Sequence, residues 1–527
     1  MSRRELQALI KKASKPTLWD RFIKPFSPGR ALNNQRNRVK MAVANAYVGA
    51  SKSRRSLSQW MTSDGDADYD LLPDLAALRE RSRDLYRNTP LATGAINTKV
   101  TNIVGTGLRL VPTIDREALN LSEDQANEWE AAAAREWKIW SESQECDAER
   151  TLTFTEIQEL TLRSVLLSGD LFIMLPYIRR AGSPYDLKLQ LIEADRISNP
   201  DFQIDNDKLA GGVEKDDAGA PLYYYILNQH PGNYRITKAM EWSRVRAFGE
   251  RTGRRNVLHL YHKLRIGQTR GVPDLAPVIE PLKQLDRYTE AEIMAAVISG
   301  MFTAFVESEG GDNSFAPMEP TSETGAKSSD DDIKLGYGAV VDLAPGEKIT
   351  TANPNRPNDA FDPFVQSVLR QIGVALELPF EILIKHFTAS YSAARASMLE
   401  AWKFFMMRRQ WLARSLCQPV YEAVITEAIV KGRLSAPGFL REHRIRKAYL
   451  SARWIGPGRG LIDPLKENKA DEIAEDRGWK TASDNTAERG GDWERNHKQR
   501  VKETMMRRND QLDVAQSAED ISEQQEE

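Results

Sequence analysis

The longest apolar stretch in this chain, Ile293–Val306, is only 14 residues long. A helix that spans a bilayer needs about 20 apolar residues, so the stretch predicts a buried helix instead. It closes a longer helical segment, Pro273–Val306, that is punctuated by Pro277 and Pro281. The chain then changes character. Glu307–Asp332 is rich in Ser, Gly, Pro and acid, and such a composition cannot bury enough apolar surface to fold alone. Pro345-Gly346 marks a turn between Tyr337–Leu343 and Lys348–Thr351, which predicts a hairpin. Beyond it, Phe361, Phe364, Val365, Val368 and Ile372 recur at helical spacing. Two long helices thus bracket a small insert with some β character, and this order constrains the fold more than any other feature.

The flanking regions follow the same periodicity rules. Residues 1 to about 75 read as irregular. Asp64, Asp66, Asp68 and Asp70 are spaced like the start of a calcium loop, but Tyr69 stands where the glycine belongs and Leu75 where the bidentate Glu belongs. The run therefore reads as a solvated linker. A helix is expected from Leu75 with Asp74 as its cap, and a second one opened by Pro90 and closed by Gly105 and Gly107. Ser122–Trp140, carrying Trp129, Trp137 and Trp140, and Phe154–Ser168 are further helices. A β-rich stretch comes next. Leu187, Leu189 and Leu191 alternate with Lys188 and Gln190 as in a half-buried strand, and Pro221–Leu227 and Val257–Tyr261 are also strands. Tyr391 to about Val430 is a third long helix, with a bend expected at Pro419. Beyond Asp463 the chain grows more polar, carries a basic patch from Arg495 to Arg508 and ends acidic. The fold class is α+β, multidomain and mainly helical.

Charge and cysteine content bound the function. At 527 residues and 41% apolar composition the chain buries a substantial core, and a net charge of -2 makes it no polycation. Proteins that grip DNA tightly neutralise many phosphates with Lys and Arg, so near-neutrality argues against tight binding but permits DNA to slide past. The exception is local: residues 1–55 carry a charge of +12, which leaves -14 on the remainder. Such an arm is either a solvated tail or a contact for nucleic acid or an acidic neighbour. Cys146 and Cys417 make neither a disulfide framework nor a thiolate metal site and read as ordinary thiols of a reducing cytoplasm. The basic N-terminus is followed by no apolar h-region, so a soluble intracellular protein is expected.

Motifs of a DNA-processing enzyme are missing. The sequence has no GxxxxGK[ST] for ATP, no GxGxxG after a strand and no GxSxG elbow. His259 and His262 lack an HExxH glutamate and read as structural. Asp330, Asp331 and Asp332 are the residues on which a metal-dependent DNA-processing enzyme would rest, but a Ser-rich loop does not preorganise a metal site. The chain therefore reads as non-enzymatic, without cofactor or metal. A scaffold or adaptor that forms no channel is the third class.

A set of islands in order carries a resemblance. Arg81-Ser-Arg-Asp-Leu85 is followed by Asn88 and Pro90, then by Asn102-Ile-Val-Gly-Thr-Gly-Leu108. His262 and Gly267-Gln-Thr-Arg-Gly-Val-Pro273 continue the series, then Pro345-Gly-Glu347, Leu378-Pro-Phe-Glu381 and Tyr391-Ser-Ala-Ala-Arg395. Trp454, Asp463-Pro464 and Lys466–Ala470 complete it. Together these islands, across about 40–490, resemble the lambda-type phage portal family; the Glu307–Asp332 insert has no counterpart among them.

The resemblance implies a mainly helical portal fold, with a β-rich wing and a small α/β clip inserted between two stem helices. The expected divisions are a basic, partly disordered arm at 1–74, a wing at 75–272, stem helices at 273–306 and 357–378 and a clip at 307–356. A tunnel loop at 379–392, a long helix and wing or crown base at 393–460, and a crown and polar tail at 461–527 complete the scheme. It further implies a homo-oligomeric ring of about twelve subunits at one capsid vertex, closed by heterologous interfaces. Double-stranded DNA would pass through it without sequence preference, and terminase large subunit, head-completion or adaptor proteins, and major capsid and scaffold proteins would be its partners. No membrane is involved; the virion and, during assembly, the host cytoplasm are the expected locations. By this analogy Lys385, His386 and Ser390 approach DNA in the tunnel. Asp330, Asp331, Asp332, Lys334, Glu347 and Lys348 belong to the clip that meets the packaging motor. Movement of the Pro-punctuated first stem helix and of Leu383–Ser392 would gate the channel.

Overall fold

The computed structural model describes residues 10–25, 27–43, 49, 55–233, 239–301, 305–308, 347–350, 360–386, 391–460 and 463–510. The chain divides into two compact units, Met1–Asp70 and Leu71–Glu527.

The first unit holds more order than its charge suggests. Helix α1 (Leu18–Ile23) opens on a capping box in which Thr17 and Asp20 satisfy each other's backbone N–H groups. Helix α2 (Pro28–Val43) follows, and its Arg38 pairs with the buried Asp20 of α1. A density of cations masks these local signals when the segment is read by composition. The run of aspartates is likewise not a linker. Helix α3 (Ala67–Asn88) begins eight residues before Leu75, because the Asp66 carboxylate accepts from the Tyr69 N–H at 2.8 Å. Asp68 and Asp70 lie in its first turn, where the helix dipole favours negative charge. Pro73 lies inside this helix and costs it one backbone bond without ending it.

The second unit is built around α4 (Pro90–Ile103), whose Ala92, Ala95, Ile96, Val100 and Ile103 are buried. Strand β1 (Arg109–Pro112), the short α5 (Arg116–Leu119), α6 (Glu123–Ser141) and α7 (Phe154–Ser168) come next. Capping boxes at Ser122 and Thr153 start α6 and α7. Trp137 packs against Trp140, Phe154, Tyr421 and Trp454, with ring centroids 5.0–5.8 Å apart. The tryptophans of α6 are thus core, as their spacing implies.

The β-rich stretch forms two antiparallel sheets. Strand β2 (Asp170–Met174) lies between β3 (Gln190–Ile192) and β8 (Val257–Tyr261). The other sheet runs β4 (Leu209–Ala210), β5 (Val213–Lys215), β6 (Pro221–Leu227), β7 (Trp242–Arg246) in order. The two share a small core of Phe172, Ile192, Ile197, Val213, Tyr224, Ile226, Ala247 and Val257. The expected strand through Leu187–Leu191 is regular only from Gln190; Leu187 and Leu189 join Tyr177 and Asp147 through single bridges. Lys188 is buried, its ammonium donating to the Ser183 hydroxyl and the Tyr185 carbonyl, so the polar face of the alternation does not meet water there.

Helix α8 (Ile279–Met301) starts after a 3₁₀ turn at Ala276–Val278. Pro277 falls in that turn and Pro281 in the first turn of α8, where a missing N–H costs nothing. The prolines therefore start the helix and do not hinge it. The helix also ends short of Val306, because Phe305–Ser308 is strand β9. Its partner is β10 (Glu347–Thr350), in register Glu307↔Lys348. The Lys348 strand was expected, but its described partner is β9; Tyr337–Leu343 lies outside the described residues. Helix α9 (Phe361–Ala375) covers the apolar repeat that predicted it.

After the short α10 (Phe380–Ile384), α11 (Tyr391–Leu412) passes through a π turn at Ala413–Cys417 into α12 (Gln418–Val430). Pro419 is the second residue of α12, and the wider turn ahead of it absorbs the N–H that proline lacks. Helix α13 (His443–Tyr449) leads to β11 (Ala452–Ile455), which pairs with β1. Helices α14 (Pro464–Asp476), α15 (Ala482–Glu488) and α16 (Trp493–Asn509) follow. No described helix is long and apolar enough to cross a membrane.

Candidate functional site

Asp170 opens β2 directly after Gly169 and is wholly buried. The Arg79 Nη2 donates to its Oδ1 at 2.7 Å, the Arg270 Nε to its Oδ2 at 2.5 Å and the Arg270 Nη2 to Oδ1 at 3.2 Å. His259 Nε2 and the Gly271 N–H complete the shell at 3.2 and 3.3 Å. Burial alone would raise the Asp170 carboxyl, but the Arg270 and Arg79 guanidiniums override it and hold the group well below the usual carboxylate range. Every oxygen is engaged, so the carboxylate has nothing left for a substrate or a metal. Arg270 also donates to the carbonyls of Ala194, Ile197 and Gly211, tying the four-stranded sheet to β2.

The approach depends on two glycines. A Cβ at Gly271 would sit 2.0 Å from the Gly169 carbonyl oxygen, and one at Gly169, whose φ is +87°, would sit 2.4 Å from that of Gly271. Only backbones without side chains pass so closely. Gly267–Pro273 is therefore a structural buckle.

The neighbouring islands behave alike. Lys99 pairs with Asp274, whose other oxygen lies 3.6 Å from Arg408. Burial lowers the Lys99 ammonium against the pull of Asp274. His262 packs against Trp411 with ring centroids 4.0 Å apart, and burial, then the Arg408 guanidinium, push its imidazole down to about 3. Arg409 of α11 donates to the carbonyls of Asn102 and Ile103, capping the C-terminus of α4. Asp463 caps α14 by accepting from the Lys466 N–H.

The proposed contact residues fall elsewhere. Lys385 ends α10 in a left-handed conformation (φ 55°), and both it and His386 are exposed. The Lys385 side chain edges a cavity of about 310 Å³ that Arg395, Trp402, Phe405 and Arg459 also line. Ser390 lies outside the described residues, as do Asp330, Asp331, Asp332 and Lys334. Glu347 and Lys348 are on β10, opposite Ser308 and Glu307. Of the two groups, the described residues thus show Lys385 and His386 at the end of α10 and Glu347 and Lys348 on β10.

Among the described residues, Glu193, Asp195 and His230 bring three ligand atoms within 4.8 Å of one another. The arrangement is an ion-pair cluster. Arg83 bonds Asp195, and the Gly232 N–H donates to His230 Nδ1 at 3.0 Å, which leaves the proton of a neutral ring on the Nε2 that faces the carboxylates. Neither cysteine is an activated nucleophile, since burial pushes Cys146 up to about 12 and raises Cys417 as well.

Sequence reasoning missed Arg79 and Asp170. The signal available was a lone acid leading a fully apolar run, Leu171-Phe-Ile173, and an arginine inside a glycine-flanked island.

The buckle and the capped helix ends hold the second unit together from within, and they leave its family to be decided by comparison. Residues 53–409 match the family described as phage portal protein, lambda family, and the chain belongs to that family. Portal protein B of Escherichia phage lambda is 29% identical over 485 residues, covering 88% of this chain and 90% of that protein. The portal protein of Escherichia phage N15 is 29% identical over 487 residues, with coverage of 88% and 91%. The solved "Neck of native GTA particle computed with C12 symmetry" is a more distant likeness, at 13% identity and a TM-score of 0.40 over 71% of this chain and 93% of that one.

Proposed function

We propose that this chain forms a closed ring at one capsid vertex, through which double-stranded DNA enters during packaging, is retained and later leaves. The family match over residues 53–409 is the observation that carries this reading. The net charge of -2 suits a conduit whose wall makes weak, sequence-blind phosphate contacts. On this reading the chain does no chemistry of its own, and ATP-driven work belongs to a terminase that docks on the insert between α8 and α9. Head-completion and adaptor proteins later use the same end, while major capsid and scaffold proteins surround the ring. About twelve copies, related by one rotation, close it. Lys385, His386 and Ser390 are proposed as DNA-facing, and Asp330, Asp331, Asp332, Lys334, Glu347 and Lys348 as the motor-facing set. Virion and host cytoplasm are the proposed locations.

Native mass spectrometry of the purified chain tests the assembly, and incubation with duplex DNA and Mg²⁺ tests the chemistry. A single closed multiple of the 59.5 kDa subunit with intact DNA is expected. Cleavage lost on changing Asp330, Asp331 and Asp332 to Ala would instead assign a DNA-processing enzyme.

A further inference from the structure

Between α11, the π turn, α13 and β11 lies an open groove of about 1130 Å³. Its lining holds six Lys and Arg residues against two acids, Asp115 and Glu422. Arg414, Arg444, Lys447 and Arg453 are exposed, and among the described residues only Arg453 has a carboxylate beside it, that of Asp484. Met406 and Met407, also exposed, line the same groove. A cationic rim with polarisable, adaptable thioethers fits an acidic peptide that carries apolar side chains. Duplex DNA fits less well, because its phosphate ridges are convex and have nothing apolar to offer the methionines.

The chain itself contains such a peptide. Residues 511–527 hold six acids and no Lys or Arg, with Leu512, Val514 and Ile521 among them. The reach is sufficient. The Arg453 guanidinium donates to the Ser483 hydroxyl at 3.4 Å, which puts the start of α15 at the groove. Helix α16, with 17 residues, is about 25 Å long. The 17 residues after Asp510 extend to about 55 Å, enough to retrace α16 and return. We propose that the groove holds the acidic segment 511–527, from the same copy or an adjacent one. The occupied groove then offers no free cations to passing DNA.

Zero-length carbodiimide cross-linking of the full chain, read by mass spectrometry, tests this. Lys447 should join Glu519, Asp520 or Glu523, and the yield should fall at least about fivefold in the exposed triple variant Arg414→Ser/Arg444→Ser/Arg453→Ser. Mixing isotope-labelled and unlabelled copies tells a link within one copy from a link between copies, and either supports the proposal. Links confined to Lys498 and Lys502 of α16, the other basic surface, would overturn it, as would no link from the segment or a yield the triple variant leaves unchanged. Protection of Lys447 from acetylation by a short DNA duplex, but not by a synthetic 511–527 peptide, would assign the groove to nucleic acid and overturn the proposal as well.

Discussion

Asp170 is a carboxylate without water, and it is stable only because Arg270, Arg79 and His259 surround it. Removing one partner from a buried pair typically costs about 3–5 kcal/mol, since the other charge is left unsolvated. Arg270→Met should therefore lower the unfolding free energy read from a urea titration by that order, and a variant as stable as the parent would show that the buckle is dispensable. His262 gives a pH signature. Its imidazole titrates near 6.5 in the unfolded chain but only at about 3 in the fold, so the unfolded state binds the extra proton between those values. Its contribution is complete above pH 6.5 and is lost as pH falls toward 3. Asp170, held low, gives up its own contribution only below about pH 4. From pH 6.5 to 4 the urea midpoint should fall less steeply in His262→Gln than in the parent; equal slopes would exclude this assignment.

At the scale of elements, the β9–β10 ladder pairs Phe305–Ser308, which follows α8 in the chain, with Glu347–Thr350, which precedes α9. Directly opposed residues of antiparallel strands have Cα atoms about 4.5–5.5 Å apart, within disulfide range. Glu307→Cys with Lys348→Cys should thus cross-link under mild oxidation, since they are register partners and the native Cys146 and Cys417 are buried. Cross-linking absent there but present one residue out of register would revise the pairing. What was legible in the sequence follows the range of the interaction. Phe361–Ala375 announced itself through a helical repeat, and Phe154–Ser168 through its period and its Thr153 cap. The start of α3 was hidden because Asp74 reads as a cap while the cap at Asp66 lies eight residues earlier. The Asp170 centre was hidden for a different reason. Its partners stand 91, 100 and 89 positions away in the chain, where no periodicity links them. The island Gly267–Pro273 contains Arg270, whereas Arg81–Leu85 begins two residues after Arg79 and serves Ser168 and Asp195 through Arg83.

At the scale of the whole molecule, α8 and α9 stand on either side of the insert in the chain, and of the insert itself the described residues show the β9–β10 pairing. The islands that carried the family likeness turn out to hold the second unit together, at the buckle, at the Arg409 cap of α4 and at the Asp463 cap of α14. They maintain a subunit shape, which is what a ring of identical copies requires of each member. The residues proposed to touch DNA and the motor lie outside those islands or at their edges, so the likeness speaks more strongly for the scaffold than for the contacts. Electron microscopy of the purified protein tests the central claim most directly. Closed rings of one rotational symmetry around a channel wide enough for duplex DNA are expected. A population of monomers, dimers or open filaments at every concentration would contradict it.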